Sequence, residues 1–258
     1  MTSTTRQPKI APKIAPKIAL KTFFIRDNED NKYIEIGIDE AGRGPMFGRV
    51  YTAAVILPKD ENVFNHSLMK DSKKFHSVKK IREAAAYIKQ HATAWHVSYA
   101  DEKTIDAINI RNATHKAMHE AASAIIFLNT EKAAAKPAAK PAAKPAAKPA
   151  EEIKNYHLLV DGCDFTPLNS EEPQINISHT CIEGGDNLYS AIAAASILAK
   201  VERDQYIEEM CTANPDLITK YDLLKNKGYG TKKHMEGIKT HGISVFHRRT
   251  FGICKMFA

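Results

Sequence analysis

The sequence predicts an α/β fold: a mixed sheet flanked by helices, followed by a C-terminal helical part. Three observations predict it. Short segments of alternating apolar residues come first and interleave with segments of helical period, which is the pattern of sheet and helix layers sharing one core. At 258 residues the chain is long enough to bury such a core without disulfide or metal staples. Beyond about residue 205 the strand pattern disappears and only helical signals remain.

In chain order, Tyr33–Asp39 reads as a strand with Ile34, Ile36 and Ile38 on one buried face. It runs into two adjacent carboxylates, Asp39 and Glu40, and then a Gly42-Arg43-Gly44 turn. Arg49–Leu57 reads as a second strand stopped by Pro58, and the short glycine-bearing link between the two suggests an antiparallel pair. Ser77–His91 reads as a helix with Ser77 as its cap and Ile81, Ala84, Ala85 and Ile88 on one face. Ala94–Ala100, with Trp95, Val97 and Tyr99 alternating, is a third strand. Asp101 opens a short helix through Ile105 and Ile108, and a longer one covers Ala113 to about Leu128. Tyr156–Val160 is a strand ending at Asp161-Gly162, and Gln174–Thr180 reads as a further strand. Asn187–Val201 is the most helical stretch, with Leu188, Ile192, Ala195 and Ala199 assigned to one face. A last helix covers Lys232 to about Lys239.

Two stretches stand outside this pattern. Residues 8–19 repeat Pro-Lys-Ile-Ala three times, and residues 136–150 are a Lys-Pro-Ala-Ala tract. Proline every fourth residue blocks a helix, and alanine with lysine buries too little apolar area to offset chain entropy. The expected organisation is therefore a disordered basic tail over 1–25 and a folded domain over 26–258, interrupted by a low-complexity insert at 133–150.

The net charge of +7 suggests a polyanion partner until it is located. Residues 1–21 carry +5 and residues 131–152 carry +2, so these two stretches account for all of it and the rest of the chain is neutral. Four scattered cysteines without a Cys-x-x-Cys pair argue against a zinc cluster and fit a reducing, intracellular compartment. The apolar runs are too short to span a membrane. Prolines 8, 12 and 16 break the amphipathic helix that an organelle-targeting segment needs.

Three places put a carboxylate at an element boundary beside glycine: Asp39-Glu40, Asp161 and Asp186. Adjacent acids repel and raise one another's pKa unless a cation or solvent intervenes. Hard oxygen donors without histidine or cysteine suit magnesium or manganese rather than zinc. Four carboxylates around two ions form an arrangement that drives in-line displacement at a phosphodiester. His115 and His119, four apart on a helix face, lack a third ligand and read as packing histidines. Arg248 and Arg249 read equally as structural or phosphate-binding.

Gly37-Ile38-Asp39-Glu40-Ala41-Gly42-Arg43-Gly44-Pro45, Lys70-Asp71-Ser72-Lys73-Lys74, Val160-Asp161-Gly162, Gly185-Asp186 followed by Ile192 to Asp204, and Lys227-Gly228-Tyr229-Gly230-Thr231 together resemble ribonuclease HII, the type 2 ribonuclease H. The resemblance runs from about Tyr33 to Phe251. It implies a ribonuclease H-like domain that hydrolyses the RNA strand of RNA–DNA hybrids. It also implies incision 5′ of single ribonucleotides in duplex DNA, leaving 3′-hydroxyl and 5′-phosphate ends, with Mg2+ or Mn2+ as cofactor and two ions per site.

Carried onto this chain, the resemblance makes Asp39, Glu40, Asp161 and Asp186 the catalytic and metal-binding quartet. Gly42, Arg43 and Gly44 would surround the ribonucleotide and sense its 2′-hydroxyl. Tyr229 would stack on the following sugar, and Lys73 would contact a phosphate. Asp204 also matches a family position; Asp186, just ahead of a helix, is preferred as the fourth ligand because the helix dipole favours an acid there, and Asp204 is kept as a supporting group. The type 3 enzyme is set aside because it carries lysine where Arg43 stands and has a folded N-terminal domain that residues 1–32 cannot make. An inactive nucleic-acid-binding relative is the remaining alternative; it predicts a missing acid, and none is missing. A monomer is the default.

Overall fold

The protein is described here by a computed structural model covering residues 19–24, 33–134, 154–171 and 175–258. Strands β1 (Tyr33–Ala41), β2 (Val50–Ile56), β3 (Ala94–Ala100), β4 (Lys154–Asp161) and β5 (Ile175–Ile182) form one sheet in the order β3-β2-β1-β4-β5. β1 pairs antiparallel with β2 and parallel with β4, and β4 pairs parallel with β5, so the sheet is mixed as expected. Helices α1 (Val78–His91) and α3 (Ser190–Ala213) cover one face and α2 (Glu102–Ala134) the other. The remaining helices, α4 (Asp216–Tyr221), α5 (Leu223–Asn226) and α6 (Lys232–His241), form the C-terminal part.

Local chemistry explains the boundaries. The Ser77 side chain accepts from the Lys80 N–H and caps α1, whose Ala84, Ala85 and Ile88 are buried as predicted. Asp101 caps α2 by accepting from the Thr104 N–H at 2.8 Å. Asn109, at φ 66° and ψ 163°, breaks α2 into the short and long helices expected from the sequence, and its side-chain oxygen accepts from the Asn112 N–H to start the second. The long part packs Met118, Ala121, Ala122 and Ile125 on Ile36 and Ile38 of β1 and on Ala54 of β2.

Two expectations are corrected. β1 is buried on both faces over Glu35–Asp39 rather than on one, because α3 lies on the side where Gly37 and Asp39 project. The helix beginning near Asn187 is not amphipathic: Ser190–Ala199 is buried all round, Leu188 is exposed and lies outside the helix, and α3 continues to Ala213. A helix enclosed by the sheet, α1 and the C-terminal part has no solvent face to keep polar, so its small residues carry no periodic signal. Residues 135–150 of the proposed insert, and residues 1–18 and 25 of the tail, lie outside the described residues; residues 133–134 fall within α2 and 19–24 are described.

The contact of α3 with β1 sets the site. A Cβ on Gly37 would lie 2.2 Å from the Ala191 backbone carbon, so glycine is required for the two backbones to meet. The Gly37→Ala variant is expected to lose roughly 3 kcal/mol of stability, the upper part of the range for overpacking a core. Urea unfolding followed by circular dichroism reads the change.

Candidate active site

The acids converge at one end of the sheet. Ile38 is in register with Val160, so Asp39 and Asp161 follow side by side on adjacent parallel strands. α3 runs along β1 in the same direction: Ala191 lies under Gly37, the Ser196 hydroxyl hydrogen-bonds the Asp39 carboxylate, and Arg203 packs against Gly42. Gly185 sits over Asp161, since a Cβ there would be 3.4 Å from Asp161 Oδ1. Asp186 follows it in a short 3-10 turn, Gly185–Asn187, ahead of α3.

The electrostatics are those of a site short of positive charge. Burial, with repulsion from Glu40 and Asp161, drives the Asp39 carboxyl well above its ordinary range, against the opposing bonds from Ser196 and from the Glu40 N–H at 2.7 Å. Glu40 is raised by burial and by Asp161, partly offset by Arg43, whose Nη1 is 3.5 Å from Glu40 Oε1. Asp186 is pushed up to about 6 by burial, Asp71 and Asp161. Its place ahead of α3 was expected to favour the charged form, but α3 begins only at Ser190, and burial and neighbouring acids dominate. Lys73 loses some basicity to burial and more than regains it from Asp186, Asp71, Asp39 and Asp161. One carboxylate oxygen, Asp161 Oδ1, is buried with no hydrogen-bond partner. That orphaned acceptor and the mutually raised acids fit a hard divalent cation. Among the described residues no three potential ligands already stand at chelating distance.

Sequence reasoning missed the support behind these acids. Asp71 is buried, and the Lys73 N–H, the Asn187 amide and Lys73 outweigh that burial to hold its carboxyl below the usual range. The Asn187 amide nitrogen donates to Asp186 at 2.8 Å and to Asp71 at 3.3 Å. Ser72 bonds Ser196 at 2.9 Å, tying the Lys70–Lys74 motif to α3. Asp71 and Ser72 stand within a motif read only for its lysines. Asp204 pairs with Lys200 one turn back on α3, with its Oδ1 buried and unpartnered, some fourteen residues along α3 from its start beside the Asp186 turn.

The Gly42-Arg43-Gly44 turn lies next to the acids. The fully buried Arg248 donates to the carbonyls of Gly42 (2.7 Å), Arg43 (3.0 Å), Pro45 (2.8 Å) and Gly48 (2.8 Å), which settles its structural role. In a planar trans peptide the N–H opposes the carbonyl, so the Arg43 and Gly44 N–H groups face away from Arg248. Gly42 adopts φ 97°, with the Arg203 side chain occupying the space of a Cβ. Arg203 donates to the Lys227 carbonyl at 2.8 Å, which brings in Lys227-Gly228-Tyr229. Tyr229 is half exposed, and a Cβ on Gly44 would be 3.6 Å from its ring. His115 and His119 instead hold Thr166, at 2.9 Å to its hydroxyl and 2.7 Å to its carbonyl, as packing histidines.

Solved structures that the chain resembles include ribonucleases of types 2 and 3. The chain matches ribonuclease HII from Archaeoglobus fulgidus, solved with PCNA, at a TM-score of 0.56 and 22% identity, covering 85% of this chain and 96% of the other. It matches ribonuclease H2 from Pyrococcus horikoshii at 0.55 and 22%, covering 86% and 96%. The architecture is thus the ribonuclease H-like fold. The sequence model of the ribonuclease HII family matches residues 36–131 and 127–254. Ribonuclease HII from Parabacteroides distasonis is 40% identical over 84% of this chain and 89% of its own, and that from Cytophaga hutchinsonii 37% over 84% and 89%. The chain belongs to the ribonuclease HII family, metal-dependent endoribonucleases with ribonuclease H activity on RNA–DNA hybrids.

A carboxyl with a folded pKa near 6 and an unfolded one near 3.8 binds its proton more tightly when folded, so it weakens the fold above pH 6 and ceases to do so below pH 3.8. In metal-free protein at pH 7, Asp186→Asn is expected to raise stability by roughly 1–2 kcal/mol. The gain should vanish near pH 4, as read by thermal unfolding in chelator.

Proposed function

We propose that this protein incises duplex DNA 5′ of a single embedded ribonucleotide, as well as RNA–DNA hybrids, leaving 3′-hydroxyl and 5′-phosphate ends. The observation that carries the reading is the buried, unpartnered Asp161 oxygen between Asp39 and the Gly185-Asp186 turn, at the end of β1 that leads into Gly42-Arg43-Gly44. Asp39, Glu40, Asp161 and Asp186 would hold two Mg2+ or Mn2+ ions. A type 3 ribonuclease H solved with Mn2+ shares the fold, at a TM-score of 0.56 and 18% identity, covering 87% of this chain and 68% of that one, and supports the choice of ion. Bound there, divalent ions supply Lewis acidity to activate the attacking water and to offset charge on the departing 3′ oxygen.

The chain's own residues position the strand. The outward Arg43 and Gly44 N–H groups are suited to the ribose 2′-hydroxyl, the one group that marks RNA within DNA. Tyr229, held over Gly44, offers a ring face to the next sugar. Lys73 contacts a backbone phosphate, and Asp204 stays a supporting group of α3. The protein acts as an intracellular monomer; a neutral folded part means that attraction to nucleic acid rests on local charges such as Arg43 and Lys73.

With labelled duplexes and Mg2+ or Mn2+, a strand carrying one ribonucleotide should be cut and an all-DNA duplex left intact, with cutting abolished by chelator. Equal cutting of all-DNA would refute the 2′-hydroxyl reading. Asp39→Asn should lower kcat by at least about a thousandfold, the scale of losing a principal charge-stabilising group. Arg248→Met should lower discrimination between the ribonucleotide and all-DNA duplexes, because the turn would lose four carbonyl anchors.

A further inference from the structure

Behind Tyr229 lies a buried polar chain that the hydrolytic reaction does not use. His234 and His247 are fully buried, with Nε2 atoms 3.0 Å apart. The His234 Nδ1 is 2.9 Å from the Tyr229 carbonyl, and the Ser244 N–H donates to His247 Nδ1 at 3.0 Å. These contacts admit one proton arrangement. His247 Nδ1 accepts from Ser244, so its proton sits on Nε2 and is donated to His234 Nε2; His234 then carries its own proton on Nδ1 and donates it to Tyr229. Both rings are neutral, and a proton added to either would set two N–H groups against each other. The pair is packed on by the Tyr221 ring, 4.8 Å from His247 and 6.1 Å from His234, and by Phe47, 5.1 Å from His247.

The chain connects two pieces of the site. His247 bridges Phe47 and directly precedes Arg248, which holds the Gly42-Arg43-Gly44 turn. The Met46 N–H donates to the Gly228 carbonyl at 2.9 Å, closing the loop on the Tyr229 side. We infer that His234 and His247 are positioning residues: their directional hydrogen-bond chain fixes the Tyr229 main chain relative to the Gly42–Pro45 turn, and so sets the preference for an RNA-to-DNA junction over continuous hybrid. The inference rests on the role proposed above for Tyr229. A backbone carbonyl held at 2.9 Å by a rigid ring leaves Tyr229 little freedom to follow a different sugar, which is how a remote imidazole alters selectivity without touching substrate.

The test compares kcat/KM on a duplex with one ribonucleotide and on a continuous RNA–DNA hybrid, in the full-length protein. Tyr229→Ala should lower the junction-to-hybrid ratio about tenfold. His234→Leu, which cannot donate to Tyr229, should lower it by a similar factor. His234→Asn, which keeps a donor near the Nδ1 position, should restore most of the ratio, and His247→Gln, which keeps one near Nε2, should retain it. His234→Leu added to Tyr229→Ala should change the ratio no further. If His234→Leu depresses both substrates equally, or its effect multiplies with that of Tyr229→Ala, the pair is only structural and the inference falls. If His234→Leu does not fold, the inference is decided by an His247→Asn variant, which keeps an acceptor for Ser244 but cannot reach His234: a lowered ratio sustains it and an unchanged ratio overturns it. If Tyr229→Ala itself leaves the ratio unchanged, the proposed role of Tyr229 fails, and the inference with it.

Discussion

The interaction on which the site depends is the set of bonds from the Arg248 guanidinium to four main-chain carbonyls between Gly42 and Gly48. A buried cation without a carboxylate in contact is costly, and burial with repulsion from Arg203 pushes its pKa down to about 9. The carbonyls compensate by presenting oxygen dipoles from several directions. An apolar residue at 248 would leave those carbonyls buried and unsatisfied, and a lysine could not span them with a planar fork. The turn is therefore a structure imposed from the C-terminal part on a loop two hundred residues earlier. That explains why the helical appendage and the sheet form one functional unit.

A second constraint acts on the acids. Folding packs α3 so tightly against β1 that Asp39 is drawn under it, with Ser196 and the next backbone N–H as hydrogen-bond partners. The sheet then sets Asp161 alongside and the 3-10 turn adds Asp186. Each carboxyl is less acidic than it would be in water, or lacks a partner for one oxygen, so the region stores electrostatic stress that hard cations relieve. The Asn187 amide limits that stress: it donates to both Asp186 and Asp71, although Asp71 itself adds to the repulsion on Asp186.

Much of this was legible in the sequence because it was written locally. Period-two and helical patterns placed all five strands and the principal helices, Ser77 and Asp101 announced caps, and glycines beside carboxylates marked the site. What escaped was information spread over distant positions. α3 carries no apolar stripe because it is enclosed, so its faces were misread at Leu188. Arg248 read equally as structural or phosphate-binding, and nothing nearby in sequence shows that its acceptors are carbonyls at positions 42 to 48. Asp71 was overlooked because three lysines dominate its motif, while its partners Asn187 and Asp186 lie over a hundred residues away.

One consequence concerns the peptide groups of the Gly42–Pro45 turn. Because their oxygens are turned inward to Arg248, the Arg43 and Gly44 N–H groups are turned outward beside the half-exposed Arg43 side chain. Variation at codon 248 would thus reach the turn from a distance, as variation at Gly42, whose Cβ space Arg203 fills, would reach it directly. One determinant of the turn's shape therefore sits where a survey confined to the acids would not search.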